Sequence, residues 1–491
     1  MYFTLGLTLT FGEPRDMDEL ISYKSHSMKD YFDIQGLQVL TFVIFRKSKM
    51  KLFGFLSLLL TVQAYQTYQT AFDLTPYIRT NPRQARKLSQ VKDPLGIIPQ
   101  SYAGFINVDE QVGNKIFFWF FKDVSGEPRA PLLIYVNWLP WYSSVVGVLY
   151  GSGPIRVTVN NETIGYERWT KSWVEKYPVL YIDYPYGIGF SYTESGEGYR
   201  ASQEGNARDL LEFLNQFYTM FPKYLRRDLY IGGENYAAGK LLTPLAYLLH
   251  QNIQNKTSRI RLAGLFFSAP FYEPLLQAQY FLDLHYSLGL VSNCQKFEMA
   301  ENVTHLEKRF QNPFNDVTIS ELISTILPYV GLNDDSNYHT QQGPPPQLYL
   351  LINSDHFKKI INAGHADFRN NFDPEILPRF TREIVTSATG KMATLMDNYK
   401  VLIYNGDYAL LTTTPMVEAA LANTPWKGKK EYLSSERKIW SVNSELAGYY
   451  TQVGRFCRVI VRKSGYEVAL DQPENSLLML DQFITNGCIR P

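Results

Sequence analysis

The chain has 491 residues, 45% hydrophobic and 15% aromatic, enough apolar surface for one large core and too much for a disordered chain. Its 48 basic and 47 acidic residues leave a net charge of +1 with no long block of one sign, so neither nucleic acid nor an anionic membrane is indicated as a partner. Three cysteines, Cys294, Cys457 and Cys488, allow one intrachain disulfide at most, which excludes a disulfide scaffold.

Near the N-terminus Arg46, Lys47, Lys49 and Lys51 precede an apolar run at 52–60, and Val62-Gln63-Ala64 supplies the small residues at which a signal peptidase cuts. Residues 50–64 therefore read as a signal peptide starting at Met50, and 1–49 as a doubtful upstream extension. A membrane anchor fits less well. About 20 apolar residues are needed to span, and the charges at 46–51 separate two shorter runs, 37–45 and 52–62. A secreted protein, or one held in the lumen of the secretory pathway or lysosome, is expected, and sequons at Asn161, Asn255 and Asn302 agree with it.

After an N-terminal segment at 65–95, runs at 105–108 and 115–121 read as a strand pair, with Gly113-Asn114 as the turn signal. The short apolar runs 132–136, 179–183 and 228–231 suit strands buried on both faces, and a helical pattern at 207–221 separates the last two. Strand, helix, strand at this spacing predicts a parallel sheet with right-handed crossovers. Further strands are expected at 262–267, 400–403 and 459–461, then an exposed loop and a closing helix near 475–484. Residues 227–240 read as strand, glycine-bearing turn and helix, the strained elbow on which an α/β-hydrolase presents its nucleophile. The expected architecture is therefore an α/β-hydrolase domain, 96–273 and 397–491, with a central mostly parallel sheet, helices on both faces and a helical cap insertion at 274–396.

Five motifs in chain order carry a resemblance. Asn137 through Pro154, Asp183-Tyr184-Pro185-Tyr186-Gly187-Ile188-Gly189-Phe190-Ser191-Tyr192, Gly233-Glu234-Asn235-Tyr236-Ala237, Tyr404-Asn405-Gly406-Asp407 and Asp471-Gln472-Pro473 resemble the motif set of the serine carboxypeptidases. Ser101-Tyr102-Ala103-Gly104-Phe105 and Phe117-Phe118-Trp119-Phe120-Phe121 are most similar to the vitellogenic-like branch.

Carried over residue by residue, the resemblance implies a site without its triad. The family's nucleophilic serine corresponds to Asn235, its acid to Ala409 and its histidine to Tyr466. Asp407 lies two residues from the acid's position, roughly 6–7 Å along a strand, too far for a hydrogen bond to absorb. The family's Asn-Gly-Gly-Pro-Gly loop, a source of oxyanion N–H groups, reads Asn137-Trp138-Leu139-Pro140-Trp141. Of the family's grip on a substrate carboxylate, Asn137 and Glu234 remain while the partner acid is Gly151, so an unshared, ionised Glu234 is expected to repel a carboxylate. Tyr236 is similar to the residue whose backbone N–H completes the oxyanion hole, and the loop 183–192 is expected either to line the cleft or to serve as plain architecture. No cofactor and no metal ligand set is implied.

The resulting expectation is a secreted, catalytically silent serine carboxypeptidase homologue that binds a peptide or protein, with a homodimer compatible with the sequence. Two rivals stand beside it. A hydrolase with residual or relocated catalysis in proteolysis requires a histidine within about 3 Å of Ser143, Ser144 or Ser191. A mainly structural protein would have Trp138, Leu139 and Trp141 plugging the old cleft.

Overall fold

The computed structural model describes residues 72–137, 143–160, 163–311, 337–340, 343–369 and 381–490. The stretches expected to be an upstream extension and a signal peptide, together with Trp138, Leu139, Trp141 and Asn161, lie outside them.

Ten strands form one sheet in the order β1 (Ser101–Asp109), β2 (Asn114–Phe121), β6 (Val179–Ile182), β3 (Leu132–Val136), β7 (Asp228–Glu234), β8 (Arg261–Ser268), β9 (Lys400–Gly406), β12 (Phe456–Val461), β11 (Glu445–Val453) and β10 (Lys438–Val442). β4 (Ile155–Asn160) and β5 (Thr163–Arg168) make a separate hairpin. The central run from β6 to β12 is parallel, and the two edges are antiparallel. Hydrophobic alternation builds the layers. In β2, Ile116, Phe118 and Phe120 join the core on one face, while Phe117, Trp119 and Phe121 join that on the other. Helices Gln203–Met220, Thr243–Gln254 and Thr389–Asn398 cover the first face, with Phe120 packed on Phe217 and Tyr224 at 5.1 Å. Helices Ser144–Tyr150 and Pro473–Asn486 cover the second.

Every strand read from the sequence is present. The loop after β12 is a correction: expected exposed, it is largely buried, with Ser464 and Tyr466 at 0% and 1% exposure. Its backbone is tied down from two sides. Asp471 accepts the Gly465 N–H at 2.7 Å, and the Tyr408 N–H reaches the Ser464 carbonyl at 2.7 Å. Cys457 of β12 is bonded to Cys488 beyond the last helix, which leaves Cys294 free and exposed.

Among the described residues, no strand intervenes between Ser268 and Lys400. Helices Pro274–Gln279, Phe281–Ser287 and Asn293–Gln311 there share a small apolar cluster with Leu410 and Met416. We propose that 274–396 is the cap.

Arg458, 1% exposed on β12, bonds Glu418 at 3.0 Å, the Val459 carbonyl at 2.8 Å and the Asn405 side chain. Without Arg458 the buried Asn405 side chain and the Val459 carbonyl lose their donor, while Glu418, 28% exposed, keeps Arg437 at 2.8 Å, so Arg458→Met is expected to destabilise by about 1–3 kcal/mol in urea unfolding.

Candidate functional site

β7 ends in Gly232-Gly233-Glu234, and the chain then turns at Asn235 with φ +43°. That left-handed backbone is costly for most L-residues and cheapest, after glycine, for asparagine. Beyond it, Ala237–Leu242 winds as a π-helix, and Gly239 lies so close to strand-end backbone that a Cβ there would sit 2.1 Å from the Phe271 carbonyl oxygen. The elbow is therefore intact.

Asn235 is 7% exposed; its Nδ2 donates to Thr412 Oγ1 at 2.6 Å, and the Tyr466 phenol lies close enough to feel its side chain. Ala409, fully buried, follows β9 on a loop tied to the β12 loop through Tyr408. Asp407 is engaged elsewhere: its carboxylate meets Arg462 Nε at 3.2 Å and accepts the Ser464 N–H at 3.4 Å. The Tyr466 phenol is raised well above its ordinary range, first by burial and then by the neighbouring Glu234 and Glu467 charges. It stays protonated and can take no proton from a neighbour. Thr412 was missed in the sequence, because nothing in a lone threonine signals that a loop will bring it to the elbow.

The fate of Glu234 differs from expectation. Its carboxyl is 2% exposed, accepts the Tyr135 hydroxyl, and hydrogen-bonds the carboxyl of Glu467, so it is shared after all. Glu467 also receives Asn137 Nδ2 at 3.5 Å. A Cβ built on Gly151 would lie 3.2 Å from Glu467 Oε2, which means that Glu467 fills the space a side chain at 151 would enter. Two carboxyls in hydrogen-bond contact must hold a proton between them. Burial, the largest cause, pushes Glu467 up to about 7, while its bonds to Glu234 and Asn137 and the charge of Arg156 act against the rise. Arg156 itself is held by the carbonyls of Gly151, Gly153 and Ile155. The sequence did carry a signal for this partner: a glutamate directly after Tyr466, opposite a glycine that had lost the acid.

Tyr236 keeps its place just after the elbow, and its hydroxyl bonds buried Glu383. The loop 183–192 is framework. Tyr184, Tyr186, Phe190 and Ser191 are each at most 2% exposed, and Asp183 accepts the N–H groups of Ser144 and Phe190 at 2.7 and 3.0 Å. Gly189, at φ +59°, has no room for a Cβ against Asp183. The three tempting serines are also spoken for. Ser143 caps a helix through the Val145 N–H, Ser144 donates to the Ile182 carbonyl at 2.6 Å, and Ser191 donates to the Asp183 carbonyl at 2.5 Å. None of their bonds is to a histidine.

A parallel sheet with a positive-φ elbow closing its central strand, and the β9 and β12 loops gathered beside it, defines an α/β-hydrolase. The chain belongs to the serine carboxypeptidase family, whose profile matches residues 93–486. Among its relatives, the human probable serine carboxypeptidase CPVL is 32% identical over 431 residues, covering 84% of this chain and 89% of that protein. Vitellogenic carboxypeptidase from Aedes aegypti is 29% identical, with 84% and 89% covered. In structure, the chain is similar to Kex1(delta)p, a prohormone-processing carboxypeptidase from Saccharomyces cerevisiae, at a TM-score of 0.69 and 21% identity over 82% of this chain and 96% of that one. At that identity the likeness bears on the fold. Among the described residues, no helix is long and apolar enough to cross a membrane.

Proposed function

We propose that this protein is a catalytically silent serine carboxypeptidase homologue that binds the C-terminal end of a peptide or protein. The observation that carries the reading is the side chain at the elbow. An amide there offers no nucleophilic oxygen, and neither its partner Thr412 nor the neighbouring Tyr466 phenol is a base. What remains beside it is a carboxylate-binding set: Asn137 and the proton-sharing Glu234–Glu467 pair, in which a protonated carboxyl can donate to a ligand carboxylate. Glu467, unlike Glu234, is only partly buried as a residue. Work in the secretory pathway or outside the cell is part of the proposal. The signal-like segment at 50–64, the sequons at Asn255 and Asn302 on exposed positions, and the Cys457–Cys488 bond support it.

The test uses the mature protein with blocked dipeptide substrates and a fluorophosphonate probe at acid and neutral pH. No turnover and no labelling are expected, together with thermal stabilisation by peptides that carry a free C-terminal carboxylate. Turnover or labelling that disappears in Asn235→Ala would overturn the silent reading, and absence of stabilisation would overturn the binding role.

A further inference from the structure

On the opposite end of the sheet from the elbow, the fold gathers cations that the sequence disperses. β7 and β8 begin with Asp228 and Arg261, and the seven residues of β7 put this end about 20 Å from Asn235. A recess of about 760 Å³ opens there, lined by Arg129, Lys223, Arg226, Arg227 and Arg261 with Asp228 as its one acid. Two of the five cations have carboxylate partners: Arg261 meets Asp228 at 2.9 Å, and Arg227 lies 4.0 Å from Asp123. Arg129, Lys223 and Arg226 are exposed and, among the described residues, have no carboxylate within ion-pair distance. After burial as the first cause, the charges of Lys122, Arg227 and Arg86 press the Lys223 ammonium below its ordinary range against the pull of Asp123. On a chain of net charge +1, so local an excess is not a reflection of overall basicity.

We propose that this recess binds a sulfated polysaccharide chain. Four of its five cations are arginines, whose planar forks pair with tetrahedral oxyanions through two parallel bonds. Their spread across three backbone segments suits anions repeated along a chain better than a single ion. The lining offers no face on which a base could stack: no aromatic side chain contributes to it, and Tyr224 beneath is 1% exposed with Lys223 and Arg227 over its ring. Nor does it hold a large aliphatic side chain that could enter a bilayer. A base-free polyanion is the chemistry that fits.

The test is elution of the full mature protein from immobilised heparin, with calorimetry against a size-defined heparin oligosaccharide at several salt concentrations. Arg129→Ser/Lys223→Ser/Arg226→Ser is expected to elute at lower salt than wild type and to reduce the slope of log K against log salt by roughly three, one per cation removed. Lys308→Ser/Lys359→Ser/Lys438→Ser removes the same charge from exposed positions elsewhere and is expected to behave as wild type. Should the recess variant fail to fold, Arg226→Ser alone, with a slope smaller by about one, decides the matter. Equal weakening by the two triple variants would overturn the proposal, as would an unchanged slope in Arg226→Ser, or a single-stranded polynucleotide that binds more tightly than heparin.

Discussion

A peptide with a free C-terminal carboxylate is expected to bind about tenfold more weakly for each pH unit above about 7, and Glu467→Gln is expected to remove that dependence. Below that point the Glu234–Glu467 pair holds a proton, and one carboxyl can donate to the ligand. Above it both are anions, and a third carboxylate meets only repulsion. Glutamine donates at every pH, so the variant keeps its acid-side affinity at about pH 8. An amidated peptide, which carries no terminal charge, serves as the control and should show no loss with rising pH. Stability runs in the same direction. Glu467 is raised from an ordinary 4.5 to about 7 and buried Asp183 from 3.8 to about 6, both chiefly by burial. Carboxyls with raised folded-state values contribute stability that is complete below their ordinary range and lost as pH climbs through the raised one. The melting temperature is therefore expected to fall between about pH 4 and pH 7, with Glu467 the larger contributor. Equal affinities at the two pH values in calorimetry, or a wild-type dependence retained by Glu467→Gln, would show that the pair does not face the ligand.

The sheet was legible because buried parallel strands announce themselves. Leu132 to Val136 is five apolar residues in a row, all buried, and no other element fits so short a run. The β10–β11 hairpin was missed for the opposite reason: as an edge, it leaves Ile439 64% exposed and opens its strands with Lys438 and Glu445, so its period-2 signal is diluted. Reading the loop after β12 as exposed failed because local composition carries no trace of Asp471 and Tyr408, whose bonds bury it. The site shows the same division. Asn235, Ala409 and Tyr466 could be found by motif and spacing, but the pairing of Glu467 with Glu234 spans a long stretch of chain and exists only once β7 and the β12 loop meet. The basic recess is the extreme case. Its cations come from segments around 129, 223–227 and 261, none of which is a charge block, and composition alone indicated neither nucleic acid nor an anionic membrane.

Returning one residue to the site is expected to achieve nothing. In Asn235→Ser the new hydroxyl would face Thr412 and a phenol held well above its ordinary range, so no group is present to take its proton. Asn235→Ser/Ala409→Asp/Tyr466→His replaces all three, and labelling by a fluorophosphonate probe is expected only in that combination, because the members of a triad act as a unit whose loss costs about 10⁶ in turnover. Turnover of a blocked dipeptide should still lag behind labelling. Trp138 and Leu139 stand where the family has glycines, and a missing oxyanion donor costs a further 10²–10³ or so; adding Trp138→Gly/Leu139→Gly is expected to recover part of it. The Glu467 carboxyl beside position 466 adds a specific signature: an imidazole there would have its protonated form stabilised by a neighbouring carboxylate, which moves the rise of activity to higher pH, and Glu467→Gln in the reverted background should move it back. Labelling of the single Asn235→Ser variant at the rate of the triple one would mean that a base already stands at the elbow, and the protein would then have to be regarded as an enzyme that lacks only its nucleophile.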